Sequence, residues 1–338
     1  MTKSMRIPKI LILGMGGTIA GIASHPELDP LNYEAGRISI QQLLGGIVQK
    51  DAYHLKTEQI ANINSCDLTH ELLTRLVNRV REALVDEDVD GIVITHGTDT
   101  MEETGIFLHL TCAALCRGSQ KIIVLTGAML PSNAPGADGP SNLALSIQVA
   151  SKMSTQSNGI LMQSGVIGVF AGRIIAAKDF AKRSSDQIDA PVKDSPELTN
   201  SIMSRLLSEE DLSYPELGQS WPWVEIVTNH VDPKPDVLEF LKNQGVSGVI
   251  LAGTGQGNIH QNLLPVIKEF SQRGIPVLRC SRTGLGVIRH NVSFNDDELG
   301  TLAAGSLTPA KARIALELLI YNRLIGKSLD FKKKLATM

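Results

Sequence analysis

Short, almost wholly apolar runs alternate along the chain with longer segments in which apolar residues recur at helical spacing. The short runs predict strands at residues 9–13, 91–95, 121–126, 166–170, 224–227, 248–251 and 276–279. The longer segments predict helices at residues 68–85, 102–116, 141–153, 235–243, 263–272 and 309–324. Strands without a polar face are typical of parallel sheets that helices cover on both sides. The alternation therefore predicts βαβ units and an open, mostly parallel α/β sheet.

The alternation breaks between about residues 190 and 223, where prolines and Ser, Asp and Glu residues are frequent. A helical turn at residues 202–207 is the one periodic piece of this stretch, which we interpret as a linker. The predicted organisation is an N-terminal α/β domain at residues 1–190, a linker at residues 191–222 and a smaller C-terminal α/β domain at residues 223–338.

Composition narrows the class of protein. The 338 residues suffice for two cores, and 43% hydrophobic with 20% charged residues is typical of a globular enzyme. The net charge is −3 and no basic stripe is interleaved with aromatic residues. No apolar run approaches the ~20 residues that a membrane span needs. We therefore expect neither a nucleic acid nor a membrane as a partner.

The N-terminus allows two interpretations. Three basic residues, Lys3, Arg6 and Lys9, precede an apolar run from Ile10, which is the outline of a signal peptide. Glycines at positions 14, 16 and 17 interrupt that run and favour a first β-strand, so we expect a cytoplasmic protein. Export under a signal removed earlier stays open.

The four cysteines do not make a disulfide framework in a chain of this size. Cys112 and Cys116 lie one helical turn apart in a Leu/Ala-rich segment, where small buried residues are expected. Neither Cys66 nor Cys280 has the close-spaced Cys or His neighbours of a metal site. No metal is therefore expected.

A glycine-rich turn follows the first predicted strand, in the sequence GMGGTIAG at residues 14–21. Ligands of open parallel sheets bind outside the carboxyl ends of the strands. A dinucleotide fingerprint would need glycine at position 19, where this chain has Ile19, and no acidic partner is evident. The turn presents one hydroxyl, that of Thr18, which could act in catalysis or simply cap a helix.

A second polar turn, THGTDTMEE at residues 95–103, follows the strand predicted at residues 91–95. Glu102 and Glu103 fit the first turn of the next helix, where carboxylates interact favourably with the positive end of the helix dipole. They need no catalytic role. Thr98 and Asp99 are stronger candidates for a catalytic role, because one capping residue would suffice at the start of this helix and the turn carries two. His96 could be a base, although a structural hydrogen-bonding role is the commoner one for histidine in such a turn.

Nucleophilic catalysis by a hydroxyl needs an adjacent base and often a third, orienting group. The chain has no Gly-x-Ser-x-Gly segment, which argues against the triad of an α/β-hydrolase. Two threonines at two strand ends are an unusual pair, and the residues alone lead no further.

The segments GGTIAG at residues 16–21 and HGTDTMEET at residues 96–104 together resemble the bacterial-type L-asparaginase/glutaminase family. The resemblance continues in GAM (127–129), ADGP (137–140), NL (142–143), AG (252–253), GN (257–258), SR (281–282), GSLTP (305–309) and KAR (311–313). It covers essentially the whole chain and is weakest in the linker. It implies hydrolysis of a side-chain amide to aspartate or glutamate plus ammonia, without a cofactor.

The resemblance also implies roles for two hydroxyls. Thr18 would be the nucleophile that attacks the amide carbon. Tyr33, in the segment LNYEAG at residues 31–36, would help to activate it from a mobile loop that closes over the substrate.

Thr98, Asp99 and a lysine would form the second catalytic group by the same resemblance. Lys178 and Lys182 are both candidates for the lysine. The spacing to the downstream acidic residue and alanine favours Lys182, although Ala181 stands where the family has threonine.

For substrate binding, the resemblance implies that Ser65 holds the α-carboxylate and Asp99 the α-ammonium group. Backbone groups of Gly97, Thr98 and Ala128 would line the pocket. Cys66 follows Ser65 where the family often has glutamine, and we expect this departure to alter affinity and the preference between asparagine and glutamine.

Members of the family are usually tetramers, so Asn258 is expected to reach the site of a neighbouring subunit. Ser293 stands where many members have a glutamate that also helps to bind the α-ammonium group. Asp296 or Asp297 could replace that glutamate if the register slips.

The sequence thus predicts an L-asparaginase with some glutaminase activity. One alternative is a non-catalytic amino-acid-binding or sensor protein on this scaffold, supported only by Cys66 and Ser293. The other is a tRNA-dependent amidotransferase subunit, which would need an extra N-terminal domain and a basic face that this sequence does not show.

Overall fold

The computed structural model describes residues 6–45, 52–151, 165–182, 184–185, 210–283 and 286–336. Of these, the residues up to 185 together with 210–211 form one compact unit, and the residues from 212 onward form a second. Most of the predicted linker, including the turn at 202–207, lies outside the described residues, so the predicted domain boundaries stay predictions.

The first unit contains eight strands and four α-helices within its described part. The strands are β1 (Lys9–Gly16), β2 (Ile22–Ala23), β3 (Tyr33–Glu34), β4 (His54–Ile63), β5 (Gly91–Thr95), β6 (Ile122–Thr126), β7 (Gly165–Phe170) and β8 (Arg173–Ala176). The helices are α1 (Ile40–Leu44), α2 (His70–Val85), α3 (Met101–Ser119) and α4 (Gly139–Ala150).

Six of these strands form one sheet in the order β4-β1-β5-β6-β7-β8, and only β8 runs antiparallel to its neighbour. Counted along the chain, the five parallel strands follow the 2-1-3-4-5 order of a doubly wound sheet. In that order the topological switch point lies between the first and third strands, here β1 and β5. The predicted mostly parallel sheet is confirmed, and its ligand crevice is expected where β1 and β5 end.

The central strands are buried because they have no polar face. Every residue of β5 and β6 is buried, and β1 is buried from Ile10 onward. α2 begins after Thr69, whose hydroxyl accepts a hydrogen bond from the Leu72 N–H at 3.2 Å. Ile12, Val93 and Val124 belong to one core cluster of the sheet, with residues of α1 and α4 packed into it.

The second unit has a fully parallel four-stranded sheet in the order β12-β11-β10-β9. Its strands are β9 (Val224–Thr228), β10 (Gly248–Gly253), β11 (Val277–Ser281) and β12 (Thr301–Ala303). Its helices are α5 (Asp236–Asn243), α6 (Leu264–Gln272), α7 (Asp296–Leu299), α8 (Pro309–Leu324) and α9 (Phe331–Ala336). The smaller C-terminal α/β unit is therefore also confirmed. Within the described ranges, no helix combines the length and apolarity that crossing a membrane requires.

All seven predicted strands and six predicted helices appear, with ends that differ by a few residues, and the end of the helix predicted at 141–153 falls outside the described part. Among the described strands the pattern missed the short β2, β3, β8 and β12, and also the longest one, β4. This strand lies at the sheet edge, and its sequence HLKTEQIANI is mostly polar and half-exposed.

Candidate active site at the carboxyl edge of the first sheet

The turn after β1 is shaped by two glycines in the left-handed region, Gly16 with φ of +90° and Gly17 with φ of +81°. A register shift between Gly14 and Gly16 bends the end of the strand. Thr18 then begins a short 3-10 turn, Thr18–Ala20, whose N-cap is Gly17 and which has no side-chain cap. The helix-cap interpretation of Thr18 is therefore wrong, and its hydroxyl is left for another partner.

That partner is Tyr33. Its hydroxyl oxygen lies 2.6 Å from Thr18 Oγ1. Tyr33 is brought back to the turn by the antiparallel hairpin of β2 and β3, in which Ala23 pairs with Tyr33. A Cβ on Gly21 would lie 2.8 Å from Tyr33 Cδ2, so the ring packs closely on this glycine. Thr18 is buried, with 8% of its surface exposed.

The turns after β1 and β5 pack backbone against backbone. A Cβ on Gly17 would lie 2.3 Å from the Gly97 nitrogen, so no larger residue fits there. A Cβ on Gly97 would lie 2.4 Å from Ser65 Oγ, which places the buried Ser65 at the same point. The Thr100 hydroxyl also donates to the Ser65 carbonyl at 2.8 Å. The ends of β1, β4 and β5 therefore meet at the switch point, with Thr18, Ser65 and Gly97 among their residues.

Thr98 and Asp99 follow directly and differ in exposure. Thr98 is buried, and its hydroxyl donates to Met129 Sδ at 3.7 Å. Asp99 is half-exposed and accepts a hydrogen bond from Lys182 Nζ, in an ion pair that spans 83 residues of sequence. Lys178 instead has a side chain that is only 4% exposed, and its Nζ lies 3.8 Å from Asp179 Oδ2. Of the two candidate lysines, Lys182 is the one in contact with Asp99.

His96 is fixed behind this turn. Its Nδ1 lies 2.8 Å from the Gly97 carbonyl oxygen, which can only accept, so Nδ1 carries the proton. Nε2 is then the acceptor for the Thr104 hydroxyl at 2.9 Å. Burial lowers the pKa of His96 below its ordinary value, although the bond to Gly97 opposes this effect. A neutral imidazole with both nitrogens engaged is a structural group, so the alternative of a catalytic base loses its support.

The turn after β6 carries Ala128 and is held by a buried carboxylate. Asp138 accepts hydrogen bonds from the backbone N–H groups of Met129 at 3.1 Å and Leu130 at 3.0 Å. Asn142 donates to Asp138 at 3.1 Å and to the Gly127 carbonyl at 3.0 Å. A Cβ on Gly127 would lie 3.3 Å from Thr98 Cγ2, so this turn borders the Thr98 side chain.

The sequence did not assign a role to Asp138 or Asn142. Both lie in motifs that carried the family resemblance, ADGP and NL, but neither motif shows which backbone groups the side chains bind. The position of Asp138 just before Gly139 and Pro140 signals a helix start, and that was the only local indication. Its role as an acceptor for an earlier turn depends on tertiary contacts.

Cys66 is the next residue after Ser65 on the 3-10 turn Ser65–Asp67, and its side chain is exposed. The other three cysteines, Cys112, Cys116 and Cys280, are buried. Burial raises the pKa of the Cys112 thiol to about 12 and that of Cys116 further. The expectation of small buried residues at Cys112 and Cys116 is thus confirmed.

Asn258 and Ser293 both belong to the second unit and are exposed. Asn258 closes a turn in which its N–H donates to the Thr254 carbonyl at 2.8 Å. Ser293 has a left-handed backbone, with φ of +61°. Both residues therefore lie outside the unit that carries Thr18.

Asp296 cannot replace a ligand-binding glutamate. Its carboxylate is fully buried and binds Arg279 through two hydrogen bonds of 2.9 and 2.7 Å. The Thr301 hydroxyl and the Asn291 N–H donate to the same carboxylate at 2.6 and 2.8 Å. Arg279 in turn donates to the Gln256 carbonyl at 2.6 Å. This pair therefore holds the Asn258 turn and the loop of Ser293 from inside the second unit.

Comparison with known proteins shows which proteins the chain is similar to. Residues 9–203 match the family described as Asparaginase, N-terminal, and residues 223–329 match the Glutaminase/Asparaginase C-terminal domain. L-asparaginase 2 of Bacillus subtilis is 32% identical over 323 residues, covering 92% of this chain and 82% of that protein. The glutaminase-asparaginase of Acinetobacter glutaminasificans is 30% identical over 322 residues, covering 91% and 94%. The crystal structure of a probable cytoplasmic L-asparaginase from Campylobacter jejuni has a TM-score of 0.77 and 31% identity, covering 98% of this chain and 99% of that one.

Proposed function

The chain belongs to the asparaginase family, and we propose that it hydrolyses L-asparagine to L-aspartate and ammonia, with L-glutamine as a second substrate. It is an amidohydrolase of the asparaginase type. The observation that carries the proposal is the 2.6 Å contact between Thr18 and Tyr33 at the switch point of the sheet. A hydroxyl that does not cap its helix and that meets a second hydroxyl is poised to exchange a proton.

In the proposed reaction, Thr18 Oγ1 attacks the carbon of the side-chain amide. Its proton passes to the Tyr33 oxygen and on to the leaving group, and the carbon–nitrogen bond breaks to release ammonia. The aspartyl ester on Thr18 is then hydrolysed by water, which restores the hydroxyl and releases aspartate. In our proposal, backbone N–H groups of the turn that carries Thr18 stabilise the oxyanion.

The second catalytic group is the set of Thr98, Asp99 and Lys182. Lys182 places its ammonium group on the Asp99 carboxylate, while the Thr98 hydroxyl lies one residue away on the same turn. In our proposal the Thr98 hydroxyl binds the water that cleaves the ester, and the ion pair of Lys182 and Asp99 orients this group. The proton of the water passes to the Thr18 oxygen as the ester bond breaks.

Substrate recognition uses groups of opposite charge. Asp99 binds the α-ammonium group, since a carboxylate accepts strong charge-assisted hydrogen bonds from ammonium. Ser65 binds the α-carboxylate, and Gly97 and Ala128 line the pocket with backbone groups. Cys66 has no side-chain amide with which to bind the substrate. We therefore expect weaker discrimination between L-asparagine and L-glutamine than a glutamine at this position would give.

We further propose a homotetramer in which Asn258, with Ser293 nearby, completes the site of a neighbouring subunit. Their exposure on the second unit supports this arrangement. The cytoplasm is the proposed compartment, supported by the name of the Campylobacter jejuni protein. The alternatives of a sensor protein or an amidotransferase subunit are not favoured, because the matched relatives are named as asparaginases.

The test is ammonia release from L-asparagine and from L-glutamine by the wild type and by Thr18→Ala. Loss of the nucleophile is expected to lower kcat more than about a thousandfold. Thr69→Ala is the matched control: it removes the cap of α2, costs about 1 kcal/mol of stability and keeps its activity. A folded wild type that releases ammonia from neither amide would refute the proposal.

A further inference from the structure

The turn after β6 makes a second set of contacts that the proposed reaction does not use. Asn133 lies on this turn and binds the backbone of Ala23 in β2 twice. The Ala23 N–H donates to Asn133 Oδ1 at 2.9 Å, and Asn133 Nδ2 donates to the Ala23 carbonyl at 2.8 Å. The side-chain amide thus pairs with Ala23 much as a neighbouring strand would.

Ser132 extends this contact by one residue. Its backbone N–H and its hydroxyl both donate to the Gly21 carbonyl, at 3.0 and 2.8 Å. The flanking Pro131 and Ala134 are buried, and the Ala134 N–H donates to the Pro131 carbonyl at 3.0 Å. Asn133 is therefore presented from a turn that is anchored on both sides.

The backbone that Asn133 holds is the part of the hairpin that faces Tyr33. Ala23 pairs directly with Tyr33, and the Tyr33 ring packs on Gly21. The far end of the hairpin has little support of its own, because Leu28 and Leu31 are 87% and 57% exposed. The position of Tyr33 relative to Thr18 therefore depends on the contacts at the base of the hairpin.

We propose that Asn133 is a positioning residue that sets the place of the Tyr33 hydroxyl against Thr18 through Ala23. The inference rests on the proposed function, in which Tyr33 activates Thr18. A carboxamide suits the task, since it offers one donor and one acceptor in a single plane, as the peptide of Ala23 requires. A carboxylate of the same shape would turn an oxygen toward the Ala23 carbonyl.

The experiment compares Asn133→Ala and Asn133→Asp with the wild type, each with and without Tyr33→Phe. We expect kcat for L-asparagine to fall about tenfold in Asn133→Ala, equivalent to about 1.4 kcal/mol, and at least as far in Asn133→Asp. KM stays within about twofold, because Ser65 and Asp99 do not lie on the hairpin. Asn243→Ala, at the exposed end of α5, is the matched control and leaves kcat unchanged.

Two measurements distinguish a positioning role of Asn133 from a purely structural one: its coupling to Tyr33 in kcat, and amide hydrogen exchange. In the Tyr33→Phe background, Asn133→Ala should cost less than about twofold in kcat, since the group it positions is gone. Amide exchange should accelerate in residues 21–34 and nowhere else. An equal loss of kcat in both backgrounds, or an unchanged kcat in Asn133→Ala, would overturn the inference. If the wild type releases no ammonia, the proposed function fails, while the exchange of residues 21–34 still tests whether Asn133 holds the hairpin.

Discussion

Gly97→Ala is expected to disturb the site through a clash that the structure locates atom by atom. The new Cβ would lie 2.4 Å from Ser65 Oγ, 2.7 Å from Ser65 Cβ and 3.2 Å from Gly17 Cα. Contacts this short require the turns after β1, β4 and β5 to move apart. Overpacking of this kind costs about 1–3 kcal/mol, which lowers the thermal midpoint by roughly 2–12 °C for a unit of this size.

The same distances predict which substitutions of Ser65 reduce the loss of stability in Gly97→Ala. Ser65→Ala removes only the oxygen and leaves a contact of 2.7 Å, whereas Ser65→Gly removes both Ser65 atoms and leaves the contact of 3.2 Å with Gly17. The penalty of Gly97→Ala should therefore decrease from the wild type to Ser65→Ala and again to Ser65→Gly. Each penalty is read against the matching Ser65 single variant, so that loss of the serine itself cancels.

Calorimetry of the six proteins, the wild type and its five variants, measures these midpoints, with ammonia release recorded in parallel. Gly118→Ala on α3 is the control, because no atom lies within 4 Å of its new Cβ. It should stabilise the protein by up to about 1 kcal/mol, since alanine favours a helix over glycine. Equal penalties for Gly97→Ala in all three Ser65 backgrounds would refute the proposed close approach of the turns.

Three further predictions concern buried and exposed groups. Asp296→Asn should cost about 3–5 kcal/mol in urea unfolding, because it leaves the buried Arg279 charge without its partner; a loss below about 1 kcal/mol would contradict this. Burial raises the pKa of Asp296, but the hydrogen bonds from Arg279 and its neighbours outweigh burial, so the folded pKa lies below the ordinary value. The stability that this pair contributes is therefore fully present above the unfolded pKa of about 4 and is lost as the pH falls through the lower folded value. Unfolding of the wild type and of Asp296→Asn at several pH values checks this sign. His96→Gln should destabilise the protein by about 1–3 kcal/mol and leave the apparent pKa values of the kcat/KM profile in place, whereas a shift of an acid limb would mean that His96 titrates in catalysis. A thiol reagent should modify Cys66 rapidly in the native protein and Cys112 only on unfolding, and rapid loss of a second native thiol would contradict the burial described above.

Much of the fold is predictable from the sequence because burial and hydrophobicity coincide in its central strands. The runs that became β5 and β6 have no polar side that faces solvent, so their pattern signals a parallel sheet directly. The polar edge strand β4 gives no such signal, since its side chains are half-exposed on both faces. The hairpin of β2 and β3 has strands of two residues each, which is too short for any periodicity.

The candidate site divides in a similar way. Thr18 and Thr98 are visible locally, because each follows a strand in a turn that carries glycine. The partners of these groups come from distant positions: Lys182 meets Asp99 across 83 residues, and Asn133 meets Ala23 across 110. No local pattern encodes such contacts. The family resemblance favours Lys182 over Lys178, and the structure shows that Lys182 contacts the Asp99 carboxylate.

The identity of the nucleophile can be tested by acid quenching during turnover of L-asparagine, followed by peptide mass spectrometry. The proposed reaction predicts an aspartyl ester on the peptide that contains Thr18, and loss of both the ester and ammonia release in Thr18→Ala. An ester on the peptide that contains Thr98, or undiminished ammonia release by Thr18→Ala, would contradict it.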